Sequence, residues 1–282
     1  MISTSPSELV LADDCGRAHQ YKYTRRLRLK DEKRSPTLAS GVAVHETIEL
    51  WCKDSPGEVP SSAALEVMAR DALAHEFRND YDGPTKNVKK FLPGVRRALA
   101  RVPEWVWHEE WHTEEDVQGF FGVEGLDEAG VDFGPAVWLH GKPDMWRLVD
   151  DEAPTVQILD TKTTDYDPLD FLLWTPQLRM YAAMLKQQFP DRLISYQYMC
   201  LPTSTKDVPA PHSPPWLLTN AGAVPVEEEI LMYAAKLGGT DPRYARRCSW
   251  CDFSSICKAI ITGADPSGIT EELYYVKERR ND

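Results

Sequence analysis

Residues Gly141–Lys162 read GKPDMWRLVDDEAPTVQILDTK, and two strand-like runs in that stretch decide the fold class. MWRLV and TVQILD are short, apolar at alternating positions, and separated by an acidic segment ending in Pro154, the composition of neighbouring strands joined by a turn. Asp144 stands just before the first run, in Gly141-Lys-Pro-Asp144, and Asp160 lies near the end of the second, in Leu159-Asp160-Thr161-Lys162. Because side chains alternate along a strand, Asp160 and Lys162 project to the same face. A single Asp-x-Lys pair at a strand end is a common solvated pair. Two carboxylates and a lysine on neighbouring strands are an uncommon product of packing alone, and hard oxygen ligands of this kind suit magnesium or manganese. Such ions activate water and neutralise charge on a phosphate under attack, while the lysine can orient the water and stabilise the developing charge.

Outward from this pair, Trp105–Glu115 alternates as WVWHEEWHTEE and is expected to begin the sheet; Ala136–Asp144 and Leu193–Pro202 read as further strands. Helical spacing of apolar residues marks Gly41–Trp51, Ser61–Arg78, Lys86–Ala100 (interrupted near Pro93), Leu173–Phe189 and Val224–Leu237. Pro202–Pro215 should be an irregular loop and KERRND, from Lys277, a frayed end. Helices, then strands, then a helix and another strand imply an α/β domain with a mixed sheet. One core is expected over residues 1–267, with 268–282 as a C-terminal tail.

The chain has 282 residues, 42% of them hydrophobic, and nine tryptophans, enough for a sizeable core. No apolar run approaches the length of a membrane span, and the N-terminal residues lack a basic n-region and long apolar core, so a protein of the cell interior is expected, without a membrane partner. The net charge of −12 hides an uneven distribution. Tyr21–Arg34 carries seven basic residues against two acidic ones, and Lys86–Arg101 carries six with no acid. With Arg243, Arg246 and Arg247 near the C-terminal cysteines, these runs could hold the phosphates of a nucleic acid. A single basic run more often decorates a solvated helix face.

Four of the six cysteines are arranged unevenly: Cys15 alone near the N-terminus, and Cys248, Cys251 and Cys257 in a C-x2-C-x5-C group. Four thiolates can bind one zinc ion or an iron–sulfur cluster, and either would close a loop around most of the chain. The uneven triplet with one remote partner suits a four-iron four-sulfur (4Fe-4S) cluster better than paired zinc knuckles; zinc remains the alternative, ahead of ordinary buried thiols or a disulfide. Cys52 and Cys200, in apolar surroundings, are packing residues. His45, on the first long helix, and Gln177 and Tyr181, four residues apart on one helix face, are by themselves more often packing groups than site residues. Glu109 and Glu110 read as surface groups.

Together, Gly41-x3-His45, Gly141-x2-Asp144, Asp160-x-Lys162, Gln177-x3-Tyr181 and the split cysteine set resemble the PD-(D/E)XK nuclease superfamily. The closer resemblance is to its RecB-like branch with an iron–sulfur clasp: the CRISPR-associated RecB-like exonucleases, the AddB nuclease domain and related phage exonucleases. The resemblance runs from Ser3 to Cys257. It implies a restriction-endonuclease-like core, a central mixed sheet flanked by helices, with the two chain ends joined by the cluster. His45, Asp144 and Asp160 match the family's metal ligands, with the Thr161 carbonyl as a further one. Lys162 matches its catalytic lysine, and Gln177 and Tyr181 its helix motif beside the active site. Cys15, Cys248, Cys251 and Cys257 match the cluster ligands. Two departures are visible: Cys15-Gly16-Arg17 where the family often has Cys-Pro-Arg, and Asp160 where many relatives have Glu.

The implied activity is a magnesium- or manganese-dependent DNA exonuclease acting on single strands or duplex ends, in recombination, repair or phage DNA processing. A CRISPR adaptation nuclease subunit, or a non-catalytic iron–sulfur DNA-binding module of a recombination complex, are the alternatives. Helicase, recombinase or CRISPR adaptation proteins are the expected partners, and the cytoplasm of a bacterium or phage-infected host the expected location. No P-loop of the form G-x4-G-K-[S/T] occurs, so unwinding would require another protein.

Overall fold

The computed structural model describes residues 2–30, 36–78, 84–122, 136–164, 176–204, 216–218, 220–237, 239, 248 and 251–277. In chain order the elements are β1 (Ile2–Thr4), α1 (Pro6–Asp14), α2 (Gly16–His19), a π-helical turn (Gln20–Thr24), β2 (Leu27–Leu29), α3 (Pro36–Asp54), α4 (Ser62–Glu76), α5 (Pro84–Leu99), α6 (Glu104–Trp107), β3 (His112–Thr113), β4 (Val117–Phe121) and β5 (Val137–Gly141). They continue with β6 (Met145–Val149), β7 (Thr155–Lys162), α7 (Gln177–Gln188), β8 (Leu193–Cys200), β9 (Trp216–Leu218), α8 (Asn220–Ala234), α9 (Ser254–Ile261), α10 (Ser267–Leu273) and β10 (Tyr274–Val276). The chain is mixed α/β, its sheets accompanied by helices, and it divides into two compact units: residues 34–119 with 140–226, and residues 1–33 with 120–139 and 227–282. Among the described residues no helix is long and apolar enough to cross a membrane.

The larger unit, 34–119 with 140–226, is built on a five-stranded mixed sheet in the order β3-β6-β7-β8-β9. β6 and β7 are antiparallel with Met145 opposite Leu159, and β7 and β8 are parallel with Asp160 opposite Tyr198. Met145, Leu159 and Met199 face a helical layer in which α3, α4 and α5 bury Val44, Ile48, Leu73, Val95 and Leu99. Leu159 has no exposed surface; truncating such a residue to alanine costs about 2–5 kcal/mol. α3 starts at Pro36, five residues before the expected helix, because proline suits the first turn, where an amide proton has no helical acceptor. α5 continues through Pro93 without a break. Proline removes one helical hydrogen bond there, but Val88, Leu92, Val95 and Ala98 are buried on both sides of it and hold the helix together.

The alternation in Trp105–Glu115 starts the five-stranded sheet as expected, but only at its end, in β3. Glu104–Trp107 is a short helix behind Pro103, and only His112–Thr113 is extended. Trp107 and Trp111 are drawn into the helical core, and the Trp111 indole donates to the Val106 carbonyl at 2.9 Å, so a compact turn satisfies residues whose spacing mimics a strand. The loop expected after Pro202 lies outside the described residues from 205 to 215, and Trp216–Leu218 is an unexpected edge strand antiparallel to β8.

Three arginines expected to face phosphates also make contacts within this unit. Arg96 pairs with Glu66 at 3.1 Å, while Arg97 and Arg101 donate to the carbonyls of Thr203 and Pro202 at 2.8 and 3.1 Å. α5 thereby ties down the chain leaving β8. Arg101→Ala should lower unfolding free energy by about 1 kcal/mol, the net value of one such hydrogen bond, in a denaturant titration. An arginine that served only to bind phosphate would leave that midpoint unchanged. Lys89 and Lys90, on the same helix, remain exposed. Arg243, Arg246 and Arg247 lie outside the described residues.

The smaller unit, 1–33 with 120–139 and 227–282, joins the two ends of the chain. β1 runs parallel to β5 with Ile2 opposite Val137, and β2 is antiparallel to β10 with Leu27 opposite Val276. Ser5 caps α1 by accepting from the Glu8 amide at 3.3 Å, with Pro6 at the first helical position. Leu11, Ala18, Tyr21 and Leu27 from the N-terminal segment pack with Phe253, Ile256 and Tyr274 from the C-terminal one. Part of the segment expected as a tail is therefore ordered into α10 and β10, because Tyr274 completes this core.

Candidate functional site

β7 and the turn before β6 bring the carboxylates together. One step beyond the Met145–Leu159 pair, the antiparallel register sets Asp144 opposite Asp160. Asp144 Oδ2 accepts from the Thr161 amide at 2.7 Å and lies 3.2 Å from His45 Nδ1, so a strand amide and a helix side chain hold it from two sides. Asp160 is 2% exposed, and its Oδ2 is 2.5 Å from Lys162 Nζ, the same-face pair that strand alternation requires. The Lys162 ammonium also lies over the Tyr198 ring, 5.7 Å from its centroid. Gln177 Nε2 donates to the Tyr181 hydroxyl at 3.4 Å from the first turn of α7.

The electrostatics follow from this packing. Burial raises the Asp160 carboxyl, Lys162 pulls it back and Asp144 adds to the rise, leaving it at about 6. Burial also works against a charged Asp144, but the hydrogen bond and charge of His45 win and hold that carboxyl below its ordinary value. His45 responds in the opposite sense: burial disfavours its charge, Asp144 outweighs burial, and the imidazole is held above its usual range. For Lys162, burial is overcome by Asp160 and Asp144, so it stays an ammonium. Burial pushes Tyr181 up to about 12, although Gln177 opposes the shift.

Among the described residues, no three His, Cys, Asp or Glu side chains stand in a closed metal-ligand group. The acids are instead paired by charge with His45 and Lys162. Asp160 Oδ2 nevertheless accepts no hydrogen bond of good geometry among the described residues, although it is buried. A buried anionic oxygen in that condition suits a divalent cation, as does the surrounding set of hard oxygen donors with one imidazole. Asp144, Asp160 and His45 therefore fit such an ion.

Gly41 explains the first element of the pattern. A Cβ there would lie 2.5 Å from Thr163 Oγ1, so α3 sits directly against the end of β7, one helical turn before His45. Gly41→Ala should displace His45 relative to Asp144 and lower kcat by about tenfold to a hundredfold, the range for a shift of about 1 Å at an active site. Circular dichroism should remain that of the native protein.

Two acidic residues near this site were not singled out in the sequence. Glu49 and Glu114 line a cavity of about 560 Å³ together with Gly41, His45 and Thr163. Both carboxyls are raised, first by burial and then in part by Asp144. Glu49 lies four residues after His45, so helical spacing alone could have marked it. Glu114 has a left-handed backbone (φ 50°), and its amide donates to the Asp144 carbonyl at 3.3 Å. Nothing local in the sequence indicates that contact. Glu109, read as a surface group, pairs with Arg147.

In the smaller unit, Cys15, Cys251 and Cys257 pack against the core formed by Leu11, Tyr21, Phe253 and Tyr274. Cys15 ends α1 and opens α2, while Cys257 lies on α9. Burial raises the Cys257 thiol; Arg17 lowers it by charge and hydrogen bonding, and Cys251 and Cys15 raise it again. Three thiols and one guanidinium thus act on one another electrostatically. Cys248 is exposed, and residues 241–247, 249 and 250 lie outside the described residues. No disulfide joins any of the six cysteines. Cys52 and Cys200 are buried packing residues, and burial raises Cys52 to about 12. Among the described residues no three of these cysteines form a metal-ligand group, and one buried Arg17 nitrogen has no hydrogen-bond acceptor.

A model of the PD-(D/E)XK nuclease superfamily matches residues 3–258. The chain belongs to the PD-(D/E)XK nuclease superfamily, and the class of protein is accordingly a nuclease. No curated protein matches the sequence. The solved structure titled "Crystal structure of SSO0001" aligns with 89% of this chain and 95% of its own at 15% identity, with a TM-score of 0.28, which is too low to carry an argument.

Proposed function

We propose that this nuclease is a RecB-like, metal-dependent DNA exonuclease that hydrolyses phosphodiester bonds of single strands or duplex ends. The observation that carries the reading is one half-buried group of Asp144, Lys162 and His45 around the buried Asp160, in a chain of this superfamily. A bound magnesium or manganese ion would supply Lewis-acid activation and neutralise charge on the phosphate. Asp144 and Asp160 would hold the ion with His45, aided by the Thr161 carbonyl. Lys162, kept cationic by its two acidic neighbours, would orient the attacking water and stabilise the charge that builds on phosphorus-bound oxygen. Tyr181, with Gln177, would bound the side of the site facing Lys162. Cys15, Cys248, Cys251 and Cys257 would hold a 4Fe-4S cluster joining the chain ends, a reading supported by the shared packing of three of these thiols.

Anaerobically purified protein, incubated with end-labelled linear single- and double-stranded DNA and magnesium or manganese, should release label progressively from an end. Covalently closed circles should resist. Equal cutting of circles and linear DNA would remove the exonuclease assignment, and metal-independent cutting would remove the mechanism.

A further inference from the structure

His112 and Trp146 form a stacked aromatic pair beside the acidic site. β3 and β6 set the two residues opposite one another, and their rings lie face to face, with centroids 4.1 Å apart and planes 14° from parallel. Trp146 is only 8% exposed and also meets the Phe189 ring at 5.7 Å, whereas 43% of the His112 side chain is open to solvent. Glu115 accepts from His112 Nδ1 at 3.1 Å and fixes the orientation of the ring. Trp146 Nε1 is buried with no acceptor among the described residues. A phenylalanine would pack there without stranding a donor, so packing alone does not account for the tryptophan.

The pair lies on the reacting face of the sheet. Trp146 is opposite Ile158, two residues before Asp160, so strand alternation puts it on the side that carries Asp160 and Lys162. Two residues of strand span about 6.6 Å, close to the rise of two stacked bases at about 3.4 Å each. Glu115 and Asp116, both exposed, follow closely after His112, so this edge repels phosphate and suits an uncharged ring. We propose that His112, backed by Trp146, is the base-stacking residue of the nuclease: a nucleobase about two nucleotides from the scissile phosphate lies on the open face of the imidazole ring. The inference rests on the nuclease function proposed above and adds the form of DNA that the site takes. Every base has an aromatic face, so such a contact grips the strand without reading its sequence. Within a duplex both faces of an internal base are covered by its neighbours, so the strand that meets His112 is single or unpaired at its end.

The test measures binding of single-stranded oligonucleotides in EDTA, where DNA is held but not cut, with 2-aminopurine or an abasic residue placed in turn at each position near an end. Wild-type protein should quench 2-aminopurine at one position and lose about tenfold in affinity when that position is abasic. His112→Ala should lose the quenching and bind the intact strand about tenfold more weakly, yet bind the abasic strand as the wild type does. His112→Phe keeps a ring and should retain both properties. If His112→Ala fails to fold by circular dichroism, the wild-type abasic series and His112→Phe carry the measurement. Equal wild-type affinity for intact and abasic strands at every position, or an equal loss by His112→Ala on both, overturns the inference. Cleavage in magnesium is followed in parallel. Wild-type protein that stacks a base but cuts no DNA overturns the nuclease function and leaves the stacking contact standing; wild-type protein that cuts linear DNA with no position sensitive to base removal overturns the stacking contact alone.

Discussion

Asp144→Asn and Asp160→Asn are each expected to lower DNA cleavage by at least about a thousandfold, the scale reached when preorganised charge is removed from an active site. Asparagine preserves the shape of each side chain, and at position 144 it can still accept from the Thr161 amide, so the fold should survive. What is lost is the anionic oxygen. The two variants should bind manganese weakly in isothermal titration, because each lacks one hard ligand. Lys162→Met should be equally inactive for a different reason: it keeps both carboxylates, binds metal and DNA, and fails at the chemical step. Removing the ammonium also leaves Asp160 buried without its 2.5 Å partner, so a modest loss of stability should accompany it. Wild-type rates in any one of the three would show that the reaction is carried elsewhere.

The second large effect is expected at the cysteines. Cys251→Ala and Cys257→Ala should each yield protein without the broad visible absorption of an iron–sulfur cluster, with little bound iron, and prone to aggregate. The expected cause lies in the smaller unit, in which N- and C-terminal segments share a core that includes Tyr21, Phe253 and Tyr274. A metal–thiolate group bridging those segments would add its binding free energy to that packing. Cys52→Ala should keep both colour and iron, since Cys52 is packed in the helical layer of the other unit. Stoichiometric zinc with no iron, after anaerobic purification, would replace the cluster by a zinc site.

Much of the candidate site was legible because its geometry is local. Strand alternation alone puts Asp160 and Lys162 on one face, and their ion pair is the result. The spacing within α7 similarly puts Gln177 and Tyr181 in hydrogen-bonding range. Hydrophobic periodicity marked α3, α4 and α7, and their buried faces follow that periodicity. The same reasoning failed where spacing and packing disagreed. The Trp105–Trp111 alternation looked like a strand, yet burying Trp107 and Trp111 in the helical core was satisfied by a short helix and turn.

The charge runs illustrate what a sequence leaves open. Seven basic residues in Tyr21–Arg34 and six in Lys86–Arg101 suggested a path for phosphate. A sequence shows the sign of a side chain but not what it faces. Arg97 and Arg101 reach carbonyls more than 100 residues away, and Arg28 turns back on the carbonyls of Lys22 and Leu27. Backbone carbonyls also accept from guanidinium groups, more weakly than phosphates do, and only the folded chain brings them within reach.

The sequence by itself determined the mixed α/β class, the shared face of Asp160 and Lys162, and the long helix that carries Gly41 and His45. Those features depend on the periods of strand and helix, which act over a few residues. Tertiary structure decided that His45 meets Asp144, that Glu114 reaches Asp144 through a left-handed backbone, and that Arg17 acts on the Cys257 thiol. Each of those contacts joins residues far apart in the chain, and chain spacing contains no information about distance once the intervening segments fold back on themselves.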